Sequence, residues 1–296
     1  MAKKSKLKLW ISGARVRTLP LAVAPIALGA GVAQLNHKFS FGLTLLALAV
    51  AVLLQIGVNY ANDYSDGVRG TDAKRVGPMR LTGSKAVPAK QVRRVAFGFF
   101  ALAAVAGFAI TAITGHWWFI GVGVVAIAAA WFYTGGKHPY GYAGLGELVV
   151  FIFFGLVATV GTAYIQIGSF EGNSLIGGVS LGFLAAAVLM VNNIRDLELD
   201  QHVGKKTLAV KLGRRPAIAS FLVMLWLPMV ILALFVLLYP ATFLAYACLL
   251  LVLPITMIVV TAKTPAELIL ALKLTSFTAL AYGALLGWGL GAVNFG

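Results

Sequence analysis

Nine long apolar segments constrain the fold of this chain more than any other feature. A helix needs about 20 apolar residues to cross a bilayer. The composition agrees with a membrane protein, since 60% of the 296 residues are hydrophobic and 11% are charged. The sequence therefore predicts an all-α, polytopic membrane protein with nine transmembrane helices in one bundle. The predicted spans are Thr18–Leu35, Phe41–Tyr60, Val95–Thr114, Trp117–Tyr133, Leu148–Ile167, Leu175–Ile194, Ala217–Leu238, Ala241–Val260 and Leu268–Leu290.

The basic residues predict which loops lie on which side of the membrane. Of the 24 Lys and Arg residues, only Lys38 falls in the loops on one side of the predicted bundle. Short loops rich in Lys and Arg remain cytoplasmic. We therefore expect an integral protein of a bacterial inner membrane, with a cytoplasmic N-terminus. The net charge of +15 then reflects topology, and no nucleic-acid partner is expected.

Six of the nine acidic residues lie in two short segments, Asn62–Asp72 and Asn192–Asp200, which we call the first and second acidic segments. Each begins at the predicted cytoplasmic end of an even-numbered span. Asn62 and Asp66 are four residues apart and share a helical face. The same spacing repeats in Asn192, Asp196 and Asp200.

The two acidic segments also indicate an internal duplication. An offset of 130 residues relates Asn62 to Asn192 and Asp66 to Asp196. Membrane sites are often built between two such repeats. We therefore expect a single membrane domain over residues 1–296, with pseudo-repeats at about 18–134 and 145–261 and a ninth helix at 268–290.

The residue types in these segments favour metal and phosphate chemistry. Facing carboxylates at the edge of a low-dielectric medium repel unless a cation lies between them. Oxygen ligands without a Cys or His cluster suit Mg²⁺ or Mn²⁺ rather than zinc, and Mg²⁺ commonly binds a few carboxylates together with substrate phosphates. Several Lys and Arg residues flank both segments. The pattern predicts a site for a diphosphate that carries an apolar tail.

The same residues resemble the motifs of the UbiA superfamily of intramembrane aromatic prenyltransferases. That family pairs an N-x-x-x-D first motif with a D-x-x-x-D second motif, matched here by Asn62…Asp66 and Asp196…Asp200. Many members have a further Asp four residues after the first motif, whereas this chain has Gly70 there and Asp72 two residues later. The third cytoplasmic loop has the family's Y-x-x-x-K pattern, as Tyr133 and Lys137.

Longer stretches resemble the branch of the family that prenylates 1,4-dihydroxy-2-naphthoate. These are "RTLPLAVAPIALG", "NDYSDGVRGTD" followed by "RVGPMRLTGS", "YTGGKHPYGYAGLGE" and "NNIRDLELDQHVGKKTLAVKLG". The resemblance implies transfer of a polyprenyl group from polyprenyl diphosphate to the naphthoate, with loss of the carboxylate. Demethylmenaquinone and diphosphate are the implied products. Two Mg²⁺ ions, with Mn²⁺ as a substitute, are the implied cofactors.

The residues and the resemblance together predict the site. The predicted metal ligands are Asp66, Asp72, Asp196 and Asp200, with Asn62 and Asp63 as supporting catalytic residues; Asp63 either ligates metal or orients the acceptor. The predicted diphosphate ligands are Lys74, Arg80, Lys137 and Lys206, with Lys205 as an equal alternative to Lys206. The predicted residues for other parts of the substrates are Asn59, Tyr133, Tyr140 and Asn192.

Several interpretations remain open from sequence. Asn59 and Asn192 either orient ligands or join helices through hydrogen bonds. His138 and His202 could assist proton removal, or lie exposed in loops. Glu147 could bind acceptor hydroxyls or pair with a loop cation. A sister prenyltransferase using 4-hydroxybenzoate or a lipid acceptor is the main alternative function. A secondary transporter is the other, although transporter acids usually lie near the midplane of the membrane.

Overall fold

The protein is helical throughout the part that the structure describes. This structure is a computed structural model, which describes residues 6–71 and 80–295. Its α-helices are α1 Lys6–Ala14, α2 Pro20–Leu35, α3 Phe41–Arg69, α4 Ala89–Thr114, α5 Phe119–Phe132, α6 Gly146–Val150, α7 Ala158–Ile167, α8 Gly172–Arg195, α9 Leu197–His202, α10 Leu208–Leu212, α11 Arg214–Leu238, α12 Leu249–Thr261 and α13 Glu267–Gly291. A π-helix, Phe151–Val157, joins α6 to α7, and a 3₁₀ helix, Pro240–Cys248, leads into α12.

The predicted all-helical membrane architecture is confirmed, but the count of nine spans is not. Within the described residues, seven helices are long and apolar enough to cross a membrane, or eight if one bent pair counts as a span. The predicted fourth span is helical over Phe119–Phe132, and its 14 residues extend only about 21 Å at 1.5 Å per residue. That length is short of a hydrocarbon core of about 30 Å.

The bent pair lies at the N-terminus, where the helical segments Leu7–Thr18 and Pro20–Leu35 meet at 48°. Arg15 adopts a left-handed backbone conformation with φ 51° and ψ 54°, which breaks the helix after Ala14. Pro20 then begins α2, where its missing N–H costs no helical hydrogen bond. This bend directs the residues between α1 and α2 toward the ends of α3 and α8.

Helix α8 forms the centre of the bundle. In its apolar window 72% of the residues are buried, against 17% in α3. Its apolar side chains pack with those of α2, α11, α12 and α13 in one large core. Helices α3 and α4 form a second, smaller cluster, and α5 has no buried residue. A third small cluster, with side chains from α2, α3, α4 and α7, joins the thinly packed half to the dense half.

Glycines let two pairs of helices approach almost to backbone contact. A Cβ added at Gly31 of α2 would lie 2.1 Å from the carbonyl oxygen of Gly287 in α13. A Cβ at Gly155, in the π-helix, would lie 2.4 Å from the Cα of Gly182 in α8. Small residues at such crossings provide the van der Waals contact that joins helices in a bilayer.

The crossing of α2 and α13 gives a stability prediction. Gly31→Ala should lower stability by roughly 1–3 kcal/mol, because the added methyl group overpacks a backbone contact. Gly98→Ala is the matched control, since nothing lies within 4 Å of its added Cβ and alanine favours helix. Thermal unfolding in detergent should show a lower Tm for Gly31→Ala alone. Equal Tm values for both variants would contradict the close crossing.

Candidate active site

A cavity of about 390 Å³ lies between the thin and dense halves of the bundle. Side chains from α2, α3, α5 and α7 and from the π-helix give it a long apolar wall. Its other end is polar, because both acidic segments reach it. The polar residues there, besides the tyrosines, are Arg15, Thr18, Gln55, Asn59, Asn62, Asp66, Arg80, Thr134, Asn192, Asn193, Asp196, Asp200, Lys205 and Thr207.

Asp66 belongs to the first acidic segment and lies on the last turns of α3. Its side chain is 5% exposed and accepts a hydrogen bond of 2.5 Å from the Tyr142 hydroxyl. A guanidinium nitrogen of Arg80 lies 3.7 Å from Oδ2, and Nζ of Lys205 lies 3.7 Å from Oδ1. This buried carboxylate therefore has cationic partners from two different loops.

The second acidic segment begins where α8 ends. Nζ of Lys205 also lies 3.8 Å from an oxygen of Asp200, so one ammonium group joins the two acidic segments. Gly204 has φ 76°, and this left-handed turn lets the amide of Lys205 donate 2.9 Å back to the carbonyl of Asp200. The turn directs the Lys205 side chain toward both carboxylates.

Asp196 has a different partner from Asp200. The guanidinium of Arg195 binds it through two hydrogen bonds, of 2.7 Å from Nε and 2.6 Å from Nη2. The same Nη2 donates 2.9 Å to Oδ1 of Asn192. Asn192 thus accepts a hydrogen bond from Arg195 near the end of α8, and it also lines the cavity.

Asp63 holds the loop that carries Arg80. Its two carboxylate oxygens accept hydrogen bonds of 2.8 Å from the backbone amides of Leu81 and Thr82. Asp63 is 1% exposed and is absent from the described lining of the main cavity. These contacts indicate that Asp63 positions the loop of Arg80. This role differs from the two expected from sequence, which were metal ligation and orientation of the acceptor.

Asn59 and Asn62 join the polar end to neighbouring segments. The amide of Asn59 donates 2.9 Å to the carbonyl of Ala14 and 3.2 Å to the Thr18 hydroxyl. Oδ1 of Asn62 accepts 2.7 Å from the Thr134 hydroxyl. Asn59 makes interhelical contacts and Asn62 contacts the turn after α5, and both line the cavity, so the two roles weighed for Asn59 are compatible.

Three tyrosines of the third loop surround the polar end. Tyr133, Tyr140 and Tyr142 all line the cavity, and the Tyr140 hydroxyl donates 2.8 Å to the carbonyl of Ala129. Burial, followed by the nearby charge of Asp66, raises the pKa of Tyr142 above its usual range. Its phenol therefore stays protonated near neutral pH and donates to Asp66. Burial also raises the pKa of Tyr140.

Some predicted residues do not lie at the polar end. Lys137 and Lys206 are exposed and are absent from the described lining of the cavity, which includes Lys205 instead. His138 and His202 are exposed as well. Asp72 and Lys74 lie outside the described residues.

Several residues at or beside the site were not singled out for it from sequence, among them Arg15, Thr134 and Tyr142. Arg195, by contrast, is one of the cations that flank the second acidic segment and were expected to serve the anion. Tyr142 is nine residues after Tyr133 in the same quoted loop stretch. For Tyr142, its position close to a motif residue was the signal that the sequence offered. The contacts of these residues depend on how the loops fold back over the cavity, which spacing does not determine.

The donor set fits a divalent metal that arrives with a phosphate ligand. Within residues 6–71 and 80–295, no three His, Cys, Asp or Glu side chains cluster closely enough to hold a metal ion. Asp66 and Asp200 nevertheless lie close enough to share one ammonium group. Mg²⁺ often binds through one or two carboxylates and completes its shell with water and phosphate oxygens. The carboxylates present suit that mode.

The fold and the site define an integral membrane protein whose buried, charged end adjoins an apolar cavity. The family model for the UbiA prenyltransferase family matches residues 22–280. The chain therefore belongs to the UbiA prenyltransferase family, and the resemblance predicted from its motifs is confirmed.

Relatives and solved structures agree with this assignment. The 1,4-dihydroxy-2-naphthoate octaprenyltransferase of Mycobacterium tuberculosis is 52% identical over 204 residues, which cover 69% of this chain and 70% of that protein. The Escherichia coli enzyme of the same name is 38% identical over 215 residues, which cover 71% of this chain and 70% of that protein. A UbiA homolog from Archaeoglobus fulgidus bound to GPP and Mg²⁺ has the same fold, with a TM-score of 0.68 and 17% identity. The match covers 94% of this chain and 99% of the homolog.

The contacts of Asp63 give a prediction about the loop that carries Arg80. Asp63→Ala should loosen this loop, because two backbone amides lose their charged acceptor and such bonds contribute about 1.5–3 kcal/mol each. Hydrogen exchange of the Leu81 and Thr82 amides should accelerate at least tenfold. Asp63→Asn keeps one acceptor oxygen and should show an intermediate rate. Unchanged exchange in both variants would show that Asp63 does not hold the loop.

Proposed function

We propose that the protein transfers a polyprenyl group from polyprenyl diphosphate to 1,4-dihydroxy-2-naphthoate, with loss of the carboxylate. The observation that carries this proposal is the convergence of Asp66 and Asp200 on Lys205 at the charged end of an apolar cavity. The names of the relatives at up to 52% identity support the choice of acceptor.

The two ends of the cavity suit the two ends of a prenyl diphosphate. The apolar wall suits the hydrocarbon tail, because it gives the tail van der Waals contacts and no polar group whose hydrogen bonds the tail would leave unmade. Arg80 and Lys205 reach the charged end, where their guanidinium and ammonium groups would bind the diphosphate. Lys74 and Lys137 remain proposed ligands from the sequence pattern, as does Lys206, whose exposed side chain makes it a weaker choice than Lys205.

Mg²⁺ is the proposed cofactor, in two ions that Mn²⁺ could replace. Asp66, Asp72, Asp196 and Asp200 are the residues that would hold it, supported by Asn62. When bound, Mg²⁺ neutralises diphosphate charge and stabilises it as a leaving group. The Archaeoglobus fulgidus homologs bound to Mg²⁺ and to Cd²⁺ support a metal-dependent reaction.

The proposed reaction replaces the carboxylate by the prenyl group. The C–O bond to diphosphate breaks with its electron pair leaving on oxygen, and a ring electron pair forms the new C–C bond. Carbon dioxide leaves, and the electron pair of the broken carboxyl bond returns to the ring. The products are diphosphate, carbon dioxide and demethylmenaquinol, the reduced form of demethylmenaquinone.

The protein's own residues favour this step in three ways. Arg80 and Lys205 stabilise the negative charge that grows on the diphosphate. The ring faces of Tyr133, Tyr140 and Phe154 line the cavity and could stabilise an allylic cation. The apolar wall excludes water, which would otherwise capture that cation.

We also propose the topology predicted from sequence. The bent N-terminal pair and α5 would complete nine spans, with the N-terminus and the active site on the cytoplasmic side of a bacterial inner membrane. Two pseudo-repeats, each contributing one acidic segment, are consistent with the shared contact at Lys205. Single cysteines placed in successive loops would be labelled in intact cells with a reagent that does not cross the membrane. Labelling of a cysteine at the N-terminus would contradict the proposed topology.

The activity can be tested with the purified full-length protein in detergent. Offered a polyprenyl diphosphate, Mg²⁺ and either 1,4-dihydroxy-2-naphthoate or 4-hydroxybenzoate, the protein should prenylate the naphthoate and release carbon dioxide. EDTA should abolish the product, and added Mg²⁺ should restore it. Product with hydroxybenzoate alone would identify the sister activity. No product with either, from folded protein, would contradict the proposed function and lead to tests of transport.

The adjacent lysines 205 and 206 provide a matched pair of variants. Lys205→Met should reduce kcat/KM for the prenyl diphosphate about 10- to 150-fold, since a charge-assisted contact contributes about 1.5–3 kcal/mol and the Asp66–Asp200 pair loses its shared cation. Lys206→Met should remain within about threefold of the parent, because its side chain is exposed. A larger loss of kcat/KM in Lys206→Met than in Lys205→Met would show that Lys206, and not Lys205, binds the diphosphate.

A further inference from the structure

Glu147 is a buried acidic residue that the proposed reaction does not use. It lies in α6, is 3% exposed and is absent from the described lining of the main cavity. Its Oε1 accepts a hydrogen bond of 2.8 Å from Nδ2 of Asn193. Its Oε2 is buried without a hydrogen-bond partner among the described residues. Burying a carboxyl group with so few partners is unfavourable, so its presence there calls for a functional explanation.

Asn193 connects Glu147 to the main cavity. It is 7% exposed and lines the cavity. Tyr133 and Leu189 line the cavity beside it. A Cβ added at Gly146, the first residue of α6, would lie 3.4 Å from the ring of the tyrosine and 3.0 Å from a methyl carbon of the leucine. These two side chains therefore cover the start of α6, and Glu147 acts on a ligand through Asn193.

The hydrogen bond to Glu147 decides which atom of the Asn193 amide faces the cavity. Nδ2 is directed to the carboxyl group, so the amide oxygen, Oδ1, lies on the opposite side. Oδ1 makes no hydrogen bond within the described residues, and it is not one of the fully buried atoms there. It therefore faces the cavity as a hydrogen-bond acceptor. Donation to a carboxylate polarises the amide and strengthens Oδ1 as an acceptor.

A hydrogen-bond acceptor at this position favours a ligand that carries a donor. In 1,4-dihydroxy-2-naphthoate the C1 hydroxyl is adjacent to the carboxylate and can donate to it, whereas the C4 hydroxyl is free to donate to the protein. In the corresponding quinone the C4 oxygen is a carbonyl, which only accepts. A site that is built to pair with a hydroxyl rejects analogues that lack one, because its own polar group then stays unpaired.

We propose that Glu147 positions Asn193 so that Oδ1 accepts a hydrogen bond from the C4 hydroxyl of the aromatic acceptor. The pair thereby selects the reduced, hydroxylated ring over its quinone and over its C4 ethers. This inference rests on the proposed function for the identity of the ring. Asn193 lies three residues, about one helical turn, before Asp196. The bound ring therefore lies beside the end of the cavity where the diphosphate is proposed to bind.

The test compares two ligands that differ in whether the C4 oxygen can donate. Calorimetry on the purified full-length protein, without oxygen, would give the Kd of 1,4-dihydroxy-2-naphthoate and of 1-hydroxy-4-methoxy-2-naphthoate. The parent protein should bind the diol about tenfold or more tightly, because the ether leaves Oδ1 unpaired. Glu147→Gln should bring the two Kd values within about threefold, because a side-chain amide also donates and lets Asn193 turn its NH₂ group to the cavity. The Kd of prenyl diphosphate with Mg²⁺ should stay unchanged.

Glu171→Gln is the matched control. Glu171 accepts a hydrogen bond of 2.8 Å from Asn173, and neither residue belongs to the described lining of the cavity. This variant should keep the preference of the parent for the diol. If Glu147→Gln does not fold, the double variant Glu147→Met with Asn193→Leu takes its place. It replaces both partners by apolar groups of similar shape, which is the least costly way to remove a buried hydrogen bond, and it should also lose the preference.

Other results would overturn the inference. Equal Kd values of the diol and the ether in the parent would show that no acceptor pairs with the C4 hydroxyl. A preference that persists without the carboxyl group of Glu147 would show that this residue does not position Asn193. The same loss of preference in Glu171→Gln would show a general effect on the fold. If the parent prenylates 4-hydroxybenzoate instead, the proposed function fails separately, and 4-hydroxybenzoate and 4-methoxybenzoate then test the pair in the same way.

Discussion

The contact on which the site depends is the shared ammonium group of Lys205. Asp66 and Asp200 come from different halves of the chain, and their repulsion in a low-dielectric setting must be offset by positive charge. Nζ of Lys205 lies 3.7 Å from one and 3.8 Å from the other, and Arg80 adds charge on the Asp66 side. We propose that the same charge balance suits this end of the bundle to an anion bound with a divalent metal.

Close helix packing holds those charges in place. Gly31 and Gly287 bring α2 against α13, and Gly155 brings the π-helix against α8. The dense half is therefore closely packed, and Asp196 and Asp200 lie at the end of α8 and within α9, which follow from it. The thinner half leaves space between α5 and the central helices, and this space becomes the apolar cavity. The closely packed helices thus form the scaffold, and the loosely packed helices enclose the cavity.

The sequence predicted the features that depend on long runs or local spacing. Apolar length predicted the helices, and four-residue spacing predicted one shared face for Asn62 and Asp66 and another for Asn192, Asp196 and Asp200; the structure places all five residues at one cavity. It could not distinguish Lys205 from Lys206, because the left-handed turn at Gly204 decides which side chain faces inward. It could not assign Asp63 to the amides of Leu81 and Thr82, because that contact depends on the path of a loop.

A double-mutant cycle on prenyl diphosphate binding tests most directly whether both acidic segments hold one ligand. The Kd of a short prenyl diphosphate with Mg²⁺ would be measured for the parent protein, Asp66→Asn, Asp200→Asn and the double variant. If both carboxylates act on the same bound diphosphate, each single variant should lose nearly as much affinity as the double variant, since groups that act as a unit are not additive. Losses that simply add would show two independent sites and contradict the account.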